Sequence, residues 1–459
     1  MPNTGLEALL QKYRKLHFIG IGGISMSALA EILKNRGYQV TGSDINDSEQ
    51  INKLRKIGIR VFIGHSRENI GDAQIVINTA AIKETNVELC AAREAGIPCF
   101  ERSVLLGCIM KNYAYPIAIA GTHGKTTTTS FASQIFIEAG CDPTCLVGGQ
   151  LNAIGGNFRV GKSNYLICEA CEYVDSFLTL HPQIAVVLNV EEDHLDYFSG
   201  IEQIKQSFHT FVSLAGPSGI CIINADSQNA MDACGNVLET TITFGIENPN
   251  AAVSARNIQA DENGYPVFDL FENNVFLFRV TLKVPGRHNV YNALAAAAIA
   301  ISLHIDTKHI HRALSSFTGT KRRFEHIGTY NGATIVDDYA HHPTEIAATL
   351  ATAKSLNYQR VICIFQPHTY TRTLALFDAF VGSLEGCDVP ILADIYAARE
   401  QNTSGISSAD IAEKLDAAKY FSSFEAIVDY IQKEARPGDL ILTMGAGDIY
   451  KVGLMICGQ

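Results

Sequence analysis

Short apolar, β-branched runs recur along the chain, each followed by a longer amphipathic stretch. They fall into three sets, at 16–21, 39–42, 59–63 and 74–78, then 115–120, 165–168, 184–190 and 219–224, then 334–336, 360–365, 390–393 and 439–443. A run that is apolar on both faces has no side to turn to water, so it predicts a parallel sheet covered by helices. Residues 251–284 differ. Val275, Leu277, Val280 and Leu282 alternate, with Asn-Gly and Asn-Asn turns, which predicts an antiparallel insertion. The rhythm breaks at 111–116 and at 315–325, dividing the chain into domains at 1–111, 112–316 and 317–459. That number agrees with the length, at roughly 150 residues per domain.

Composition narrows the function classes. Lys plus Arg total 36 against 47 Asp plus Glu, a balance of −11, which argues against a non-specific nucleic-acid track. The longest near-uninterrupted apolar stretch, 293–301, is far below the ~20 residues that span a bilayer. Twelve cysteines are sparse and scattered in 459 residues, unlike a secreted disulfide scaffold. The first sixteen residues are polar and carry Lys12, Arg14 and Lys15, unlike a signal peptide. The expectation is a cytoplasmic protein with reduced thiols.

Two glycine loops carry the chemistry. In the first, Gly20, Gly22 and Gly23 follow a strand and open a helix, so the backbone can approach a phosphate beside a helix N-terminus. Asp44 ends the second strand, where a carboxylate can accept from a ribose hydroxyl. Ser25 replaces the third glycine of the dinucleotide fingerprint, which leaves NAD and other nucleotide diphosphates both open.

The second loop is more specific. Gly121-Thr122-His123-Gly124-Lys125-Thr126-Thr127-Thr128 follows an apolar strand and leads into a helix. Backbone N–H groups there cradle phosphates, Lys125 neutralises them, and the Thr126 hydroxyl suits magnesium. Ile119 stands where the full Walker pattern has glycine, so this is a shortened G-x-x-G-K-T loop. Glu169 ends the strand at 165–168 and suits the same metal. His194 lies in the acidic run 191–196, where it can hold a second metal or orient a phosphate. Glu191 and Glu192 read as solvated loop. Cys168 and Cys171 lack a second pair, so zinc is not expected.

In combination these motifs resemble the Mur ligase family, and the resemblance extends over essentially the whole chain. It includes Glu169-Ala-Cys-Glu172, Asn189-Val-Glu-Glu-Asp-His194-Leu-Asp196 and Gly286-Arg-His-Asn289-Val-Tyr-Asn292. It continues through Gly319-Thr-Lys-Arg-Arg323-Phe-Glu325, 337–344 and 365–373. The resemblance implies an α/β fold of three domains: an N-terminal Rossmann-like parallel sheet, a central P-loop ATPase-like domain with the antiparallel insertion, and a C-terminal Rossmann-like domain. They would serve a UDP-sugar, ATP and an amino acid in turn. The implied reaction joins L-alanine to the lactyl carboxylate of UDP-N-acetylmuramate through an acyl phosphate, with Mg2+ or Mn2+.

Carried over residue by residue, the resemblance places Gly20, Gly22, Gly23, Ser25, Asp44, His65 and Arg102 at the UDP-sugar. It places Gly121 to Thr127, Asn289, Asn292, Arg323 and Asp338 at ATP. Thr126, Glu169 and His194 are the implied metal ligands, and Lys125, Glu169, His194, Arg323 and Asp338 the catalytic set. Asn289 and Asn292 sit three apart on one helix face, able to read adenine. Tyr339, His341, His368 and Arg372 would surround L-alanine, Arg372 taking its carboxylate. Thr369 stands where several relatives have a basic residue, Cys171 replaces a common acid, and Lys205 is only near the place of a carbamylated lysine. Hinge closure and a monomer or weak homodimer are expected.

Other readings stay open on the sequence. A sister enzyme recycles whole murein peptides onto the same UDP-sugar. A nicotinamide-dependent oxidoreductase would use the first loop but leave Lys125, Glu169 and the Asn pair unexplained. A nucleotide-binding regulator with the same architecture but no turnover is a third class, against which the intact Lys125, Glu169 and His194 argue.

Overall fold

The structure, a computed structural model, describes residues 4–79, 81–195, 197–398 and 400–459; Asp196 therefore lies outside the described residues. Two units emerge, Met1–Val190 with Ile204–Thr243, and Glu191–Gln203 with Phe244–Gln459. The strands deliver the predicted three-domain α/β architecture.

The first unit opens with five parallel strands, β1 (Lys15–Ile19), β2 (Gln39–Asp44), β3 (Arg60–Ile63), β4 (Ile75–Asn78) and β5 (Cys99–Glu101). Their order, β3-β2-β1-β4-β5, makes a crevice beyond the carboxyl ends of β1 and β4, where the winding reverses. The same unit holds β6 (Tyr115–Ala120), β7 (Thr144–Leu151), β8 (Gly156–Arg159), β9 (Tyr165–Glu169), β10 (Ile184–Val187) and β11 (Ile220–Asn224). β6 lies between β9 and β10, parallel to both, and β7–β8 is an antiparallel hairpin at the edge. The helix Arg102–Met110 packs so closely on the turn Tyr173–Thr179 that a Cβ on Gly107 would overlap the Thr179 carbonyl.

The second unit receives the end of β12 (Thr240–Gly245), which runs parallel to β13 (Val253–Ala260). β14 (Pro266–Glu272) and β15 (Val275–Thr281) follow antiparallel, as the alternation predicts. The apolar stretch 293–301 lies in the helix Arg287–Ser302, with Ala293 through Ala300 fully buried. No helix among the described residues is long and apolar enough to cross a membrane. The last sheet comprises β16 (Glu325–Tyr330), β17 (Ala333–Asp338), β18 (Arg360–Phe365), β19 (Val389–Ala393), β20 (Lys419–Phe421) and β21 (Asp439–Met444). Its order is β16-β17-β21-β18-β19-β20, with an apolar core on each face.

Some elements depart from the sequence reading. β5 and β20 are three residues each, too short to show a pattern, and Gly148-Gly149 interrupts the apolar run of β7. β10 stops at Val187 rather than 190, because Asn189 turns away to bind the phosphate loop. The twelve cysteines are all unpaired.

A polar network that no motif announces lies under the first sheet. Glu88 is fully buried. One carboxylate oxygen accepts from Ser43 Oγ at 2.5 Å and lies 3.3 Å from His17 Nε2 and 3.4 Å from His65 Nδ1. The other accepts from Asn69 Nδ2 at 2.6 Å and Ser66 N at 3.2 Å. Burial alone would raise this carboxyl, but the bonds from His17, Ser43 and Asn69 outweigh it and hold it down to about 2. A folded value below the ordinary 4.5 stabilises the protein above pH 4.5, and that contribution is lost as pH falls from there toward 2. Glu88→Gln should therefore lower stability at pH 7 by on the order of 2 kcal/mol. The deficit should shrink at pH 3, as read by urea unfolding at both pH values.

Candidate functional site

The phosphate loop is built by strand ends. β6 delivers Gly121, whose φ of 149° and close approach to Leu188 leave no room for a side chain. Gly124 (φ 84°) then starts the helix Lys125–Glu138, whose first N–H groups have no partner within the helix. Asn189, leaving β10, clamps the loop. Its Oδ1 accepts from His123 N at 2.8 Å, its Nδ2 donates to His123 O at 3.1 Å, and its carbonyl accepts from Thr122 N at 3.2 Å. Thr126 and Thr127 are buried in the first helical turn.

Lys125 curls back over its own loop. Its ammonium donates to Gly121 O at 2.5 Å and to Glu172 at 3.0 and 3.1 Å. Burial works against the charge, but Glu172 outweighs it, so the group titrates above an ordinary lysine and stays protonated. Glu172 was visible in its motif but carried no assignment there. Two acids three apart after a strand were the available signal. Glu169, at the end of β9, accepts from Gly148 N at 2.5 Å. Thr126 and Glu169 offer hard oxygen donors, a set that fits Mg2+ or Mn2+ rather than a soft metal. Cys168 is buried, its thiol pushed up to about 12, and Cys171 is exposed. Lys205 pairs with Asp232 at 3.5 Å.

The first-loop residues gather at the carboxyl ends of β1, β2 and β5 and just after β3. Gly20 N and Ile21 N both donate to Ser43 O. Asp44 accepts from Gly22 N at 2.9 Å, and a Cβ on Gly22 would press on that carboxylate. Gly23 caps the helix Ile24–Asn35. Arg102 Nη1 donates to Ser25 Oγ at 2.9 Å, and His65 Nδ1 lies 3.2 Å from Ser43 Oγ. Asp44 thus shapes the loop with one oxygen, a role the ribose reading did not foresee.

In the second unit, Asn289 and Asn292 are buried and joined, Asn292 Nδ2 donating to Asn289 Oδ1 at 3.1 Å. Asn289 also donates to Pro285 O at 2.7 Å. Within the basic run, Arg322 is a staple. It donates to Asp337 at 3.1 Å and to the carbonyls of Gly445 and Gly447, between the rings of Tyr339 and Tyr450. Arg323 lies over Tyr339, 5.2 Å from the ring centre. Asp338 accepts from Phe324 N and Ala340 N. Burial pushes it up to about 6, although Arg323 pulls the other way.

The four residues expected at L-alanine converge at the ends of β17 and β18. Tyr339 and His341 rings sit 5.5 Å apart, His341 and His368 6.1 Å apart, and His368 stacks on Tyr396 beyond β19. Arg372 Nη2 donates to Asp193 at 3.0 Å, and Nη1 lies 3.4 Å from His368 Nδ1. His194 has a left-handed backbone (φ 55°), and its N–H donates to Asp193. Glu191 accepts from Thr344 Oγ1 at 3.0 Å, so it is not merely solvated. Asp193 was visible in its motif but carried no assignment there, and Tyr396 follows a strand end as His368 does.

Three family profiles cover nearly all of this chain. The Mur ligase family catalytic domain matches residues 15–114, the Mur ligase middle domain 119–300, and the Mur ligase glutamate ligase domain 322–447. A UDP-N-acetylmuramate–L-alanine ligase of Acetivibrio thermocellus is 51% identical over 97% of this chain and 96% of its own length. The chain belongs to the Mur ligase family. A second relative of the same name, from Clostridium acetobutylicum, is 48% identical over 97% of this chain and 98% of its own. Among solved structures, the UDP-N-acetylmuramate–alanine ligase of Thermotoga maritima superposes with a TM-score of 0.81. It is 27% identical, with 97% of this chain and 98% of that one covered. A murein peptide ligase of Psychrobacter arcticus reaches 0.71 at 26% identity, over 96% and 98%.

A substitution at Gly148 tests the metal reading without replacing a ligand residue. A Cβ there would stand 2.8 Å from a Glu169 oxygen, close enough to shift the carboxylate. Gly148→Ala should weaken Mn2+ binding in the presence of ATP by roughly tenfold, measured by electron paramagnetic resonance, with the thermal midpoint nearly unchanged.

Proposed function

We propose that this chain is an ATP-dependent ligase joining L-alanine to the lactyl carboxylate of UDP-N-acetylmuramate, a step of peptidoglycan precursor synthesis. The observation that carries this reading is the 51% identity, over 97% of the chain, with a ligase of that name. The higher superposition on the alanine ligase than on the murein peptide ligase, 0.81 against 0.71, favours a single amino acid over a peptide. The division of labour follows the domains read from the sequence, 1–111 for the UDP-sugar, 112–316 for ATP and 317–459 for the amino acid.

A carboxylate is a poor acyl donor. Its oxygen first attacks the γ-phosphorus of ATP, breaking the bond to the bridging oxygen and releasing ADP. The amine of L-alanine, having lost a proton, then attacks the acyl carbon. The tetrahedral intermediate expels phosphate and leaves the amide. Little covalent chemistry falls to the protein, so catalysis is alignment and charge neutralisation. Lys125 meets the transferring phosphoryl group, which competes with Glu172 for its ammonium. Mg2+ or Mn2+, held by Thr126 and Glu169 with His194 at or near a second ion, would neutralise the phosphates when bound. Asn289 and Asn292 offer a rigid donor and acceptor edge to adenine, and Arg323 and Asp338 complete the nucleotide set. Tyr339, His341, His368 and Arg372 receive L-alanine. The ligands UDP-N-acetylmuramate, ATP and L-alanine suit a cytoplasmic enzyme.

Phosphate release with ATP and Mg2+ should require both UDP-N-acetylmuramate and one amino acid, with L-alanine preferred over glycine and L-serine. Faster incorporation of a tripeptide than of L-alanine would replace this reading with the recycling one. Lys125→Ala should cut turnover by at least about a hundredfold and leave UDP-sugar binding, by calorimetry, within about threefold. Loss of sugar binding in that variant would contradict the division of labour.

A further inference from the structure

The pair Arg372–Asp193 invites a question that stability does not answer. Both side chains are nearly out of water, 13% and 9% exposed, and a buried ion pair gains little over the cost of desolvating it. The contact is also incomplete as a pair. It uses one guanidinium nitrogen and one carboxylate oxygen, at 3.0 Å. The other terminal nitrogen of Arg372 is turned toward His368, and the other oxygen of Asp193 lies 3.7 Å from His194 Nε2. A tight turn fixes the acid, the His194 N–H donating to Asp193 Oδ1 at 2.7 Å.

An arginine alone attracts any small carboxylate. An amino acid differs in carrying an ammonium one carbon away, and recognising that group takes a negative charge about one hydrogen bond from the arginine. Asp193 stands there, beside the ring cluster of Tyr339, His341, His368 and Tyr396. A zwitterion laid against the pair completes a square of four alternating charges, with every charge facing its opposite.

Resting on the ligase reading above, we propose that Asp193 is a specificity-determining residue that receives the α-ammonium of the incoming amino acid while Arg372 takes its α-carboxylate. The two side chains here satisfy each other, so neither charge is left buried and unpaired.

Three acceptors separate this role from its alternatives in the full-length enzyme with UDP-N-acetylmuramate, ATP and Mg2+. L-Alanine carries both charges, L-alaninamide carries the ammonium without the carboxylate, and hydroxylamine carries neither near neutral pH. Hydroxylamine attacks the acyl phosphate, expelling phosphate and leaving a hydroxamate. Asp193→Asn should lower kcat/KM for L-alanine and for L-alaninamide alike, by roughly 10- to 100-fold. Hydroxamate formation should stay within about twofold of the parent, which also shows that the variant folds and handles its metal. Asp193→Glu should recover part of the loss for L-alanine.

A loss confined to L-alanine would mean that Asp193 acts only by orienting Arg372 toward a carboxylate, and would overturn the proposal. So would unchanged kinetics with both amines, or a parallel collapse of hydroxamate formation. If the unaltered enzyme releases no phosphate with UDP-N-acetylmuramate, ATP and L-alanine, the ligase reading itself fails and this assignment falls with it.

Discussion

A parallel sheet covered on both faces leaves only its ends for chemistry, and most candidate site residues in this protein obey that constraint, with Asn289 and Asn292, on the helix after antiparallel β15, as exceptions. β1 leads to Gly20, β2 ends at Asp44 and β5 ends beside Arg102. β6, β9 and β10 lead to Gly121, Glu169 and Asn189; β17, β18 and β19 lead to Tyr339, His368 and Tyr396. Residues far apart in the chain meet because the strands that carry them run the same way and stop together. The helices that follow turn their N-termini toward the same edge, where the first N–H groups have no intrahelical partner. Anionic ligands suit such a place before any side chain is counted.

The side chains then settle the electrostatics locally rather than in bulk. The chain carries a net charge of −11, yet both nucleotide ligands of its proposed reaction are anions. The cations that matter are kept within reach of particular carboxylates: Lys125 with Glu172, Arg372 with Asp193, Arg322 with Asp337. A buried ammonium or guanidinium cannot stand alone in a low-dielectric interior. These acids hold the cations in place. Net charge therefore bears on a nucleic-acid track and not on phosphate recognition.

Legibility in the sequence followed how local each signal was. β6 and β18 were read to the residue because their apolar, β-branched runs report burial on both faces. β7 was missed because Gly148-Gly149 breaks its run, although Gly148 is what lets Glu169 sit where it does. Lys125, Thr126 and Glu169 were readable because loop, lysine and hydroxyl are consecutive and the acid closes a strand. Glu88 was not, since nothing in the segment Val87–Glu94 tells a buried acid from one in a solvated first turn. Its burial depends on His17, Ser43, His65 and Asn69, which the fold brings from three other segments of the chain.

By itself the sequence determined the class of fold, the glycine-rich loop that opens the helix Lys125–Glu138 and the family, because each is written in contiguous residues with a fixed local geometry. Only the tertiary structure decided how the charges are paired. Glu172 rather than solvent holds Lys125, Arg322 rather than Arg323 is the staple, and Asp193 faces Arg372 from 179 positions away. The physical reason is range. Backbone conformation is set by neighbours in the chain, whereas a buried charge is set by whatever the fold places within a few ångströms of it.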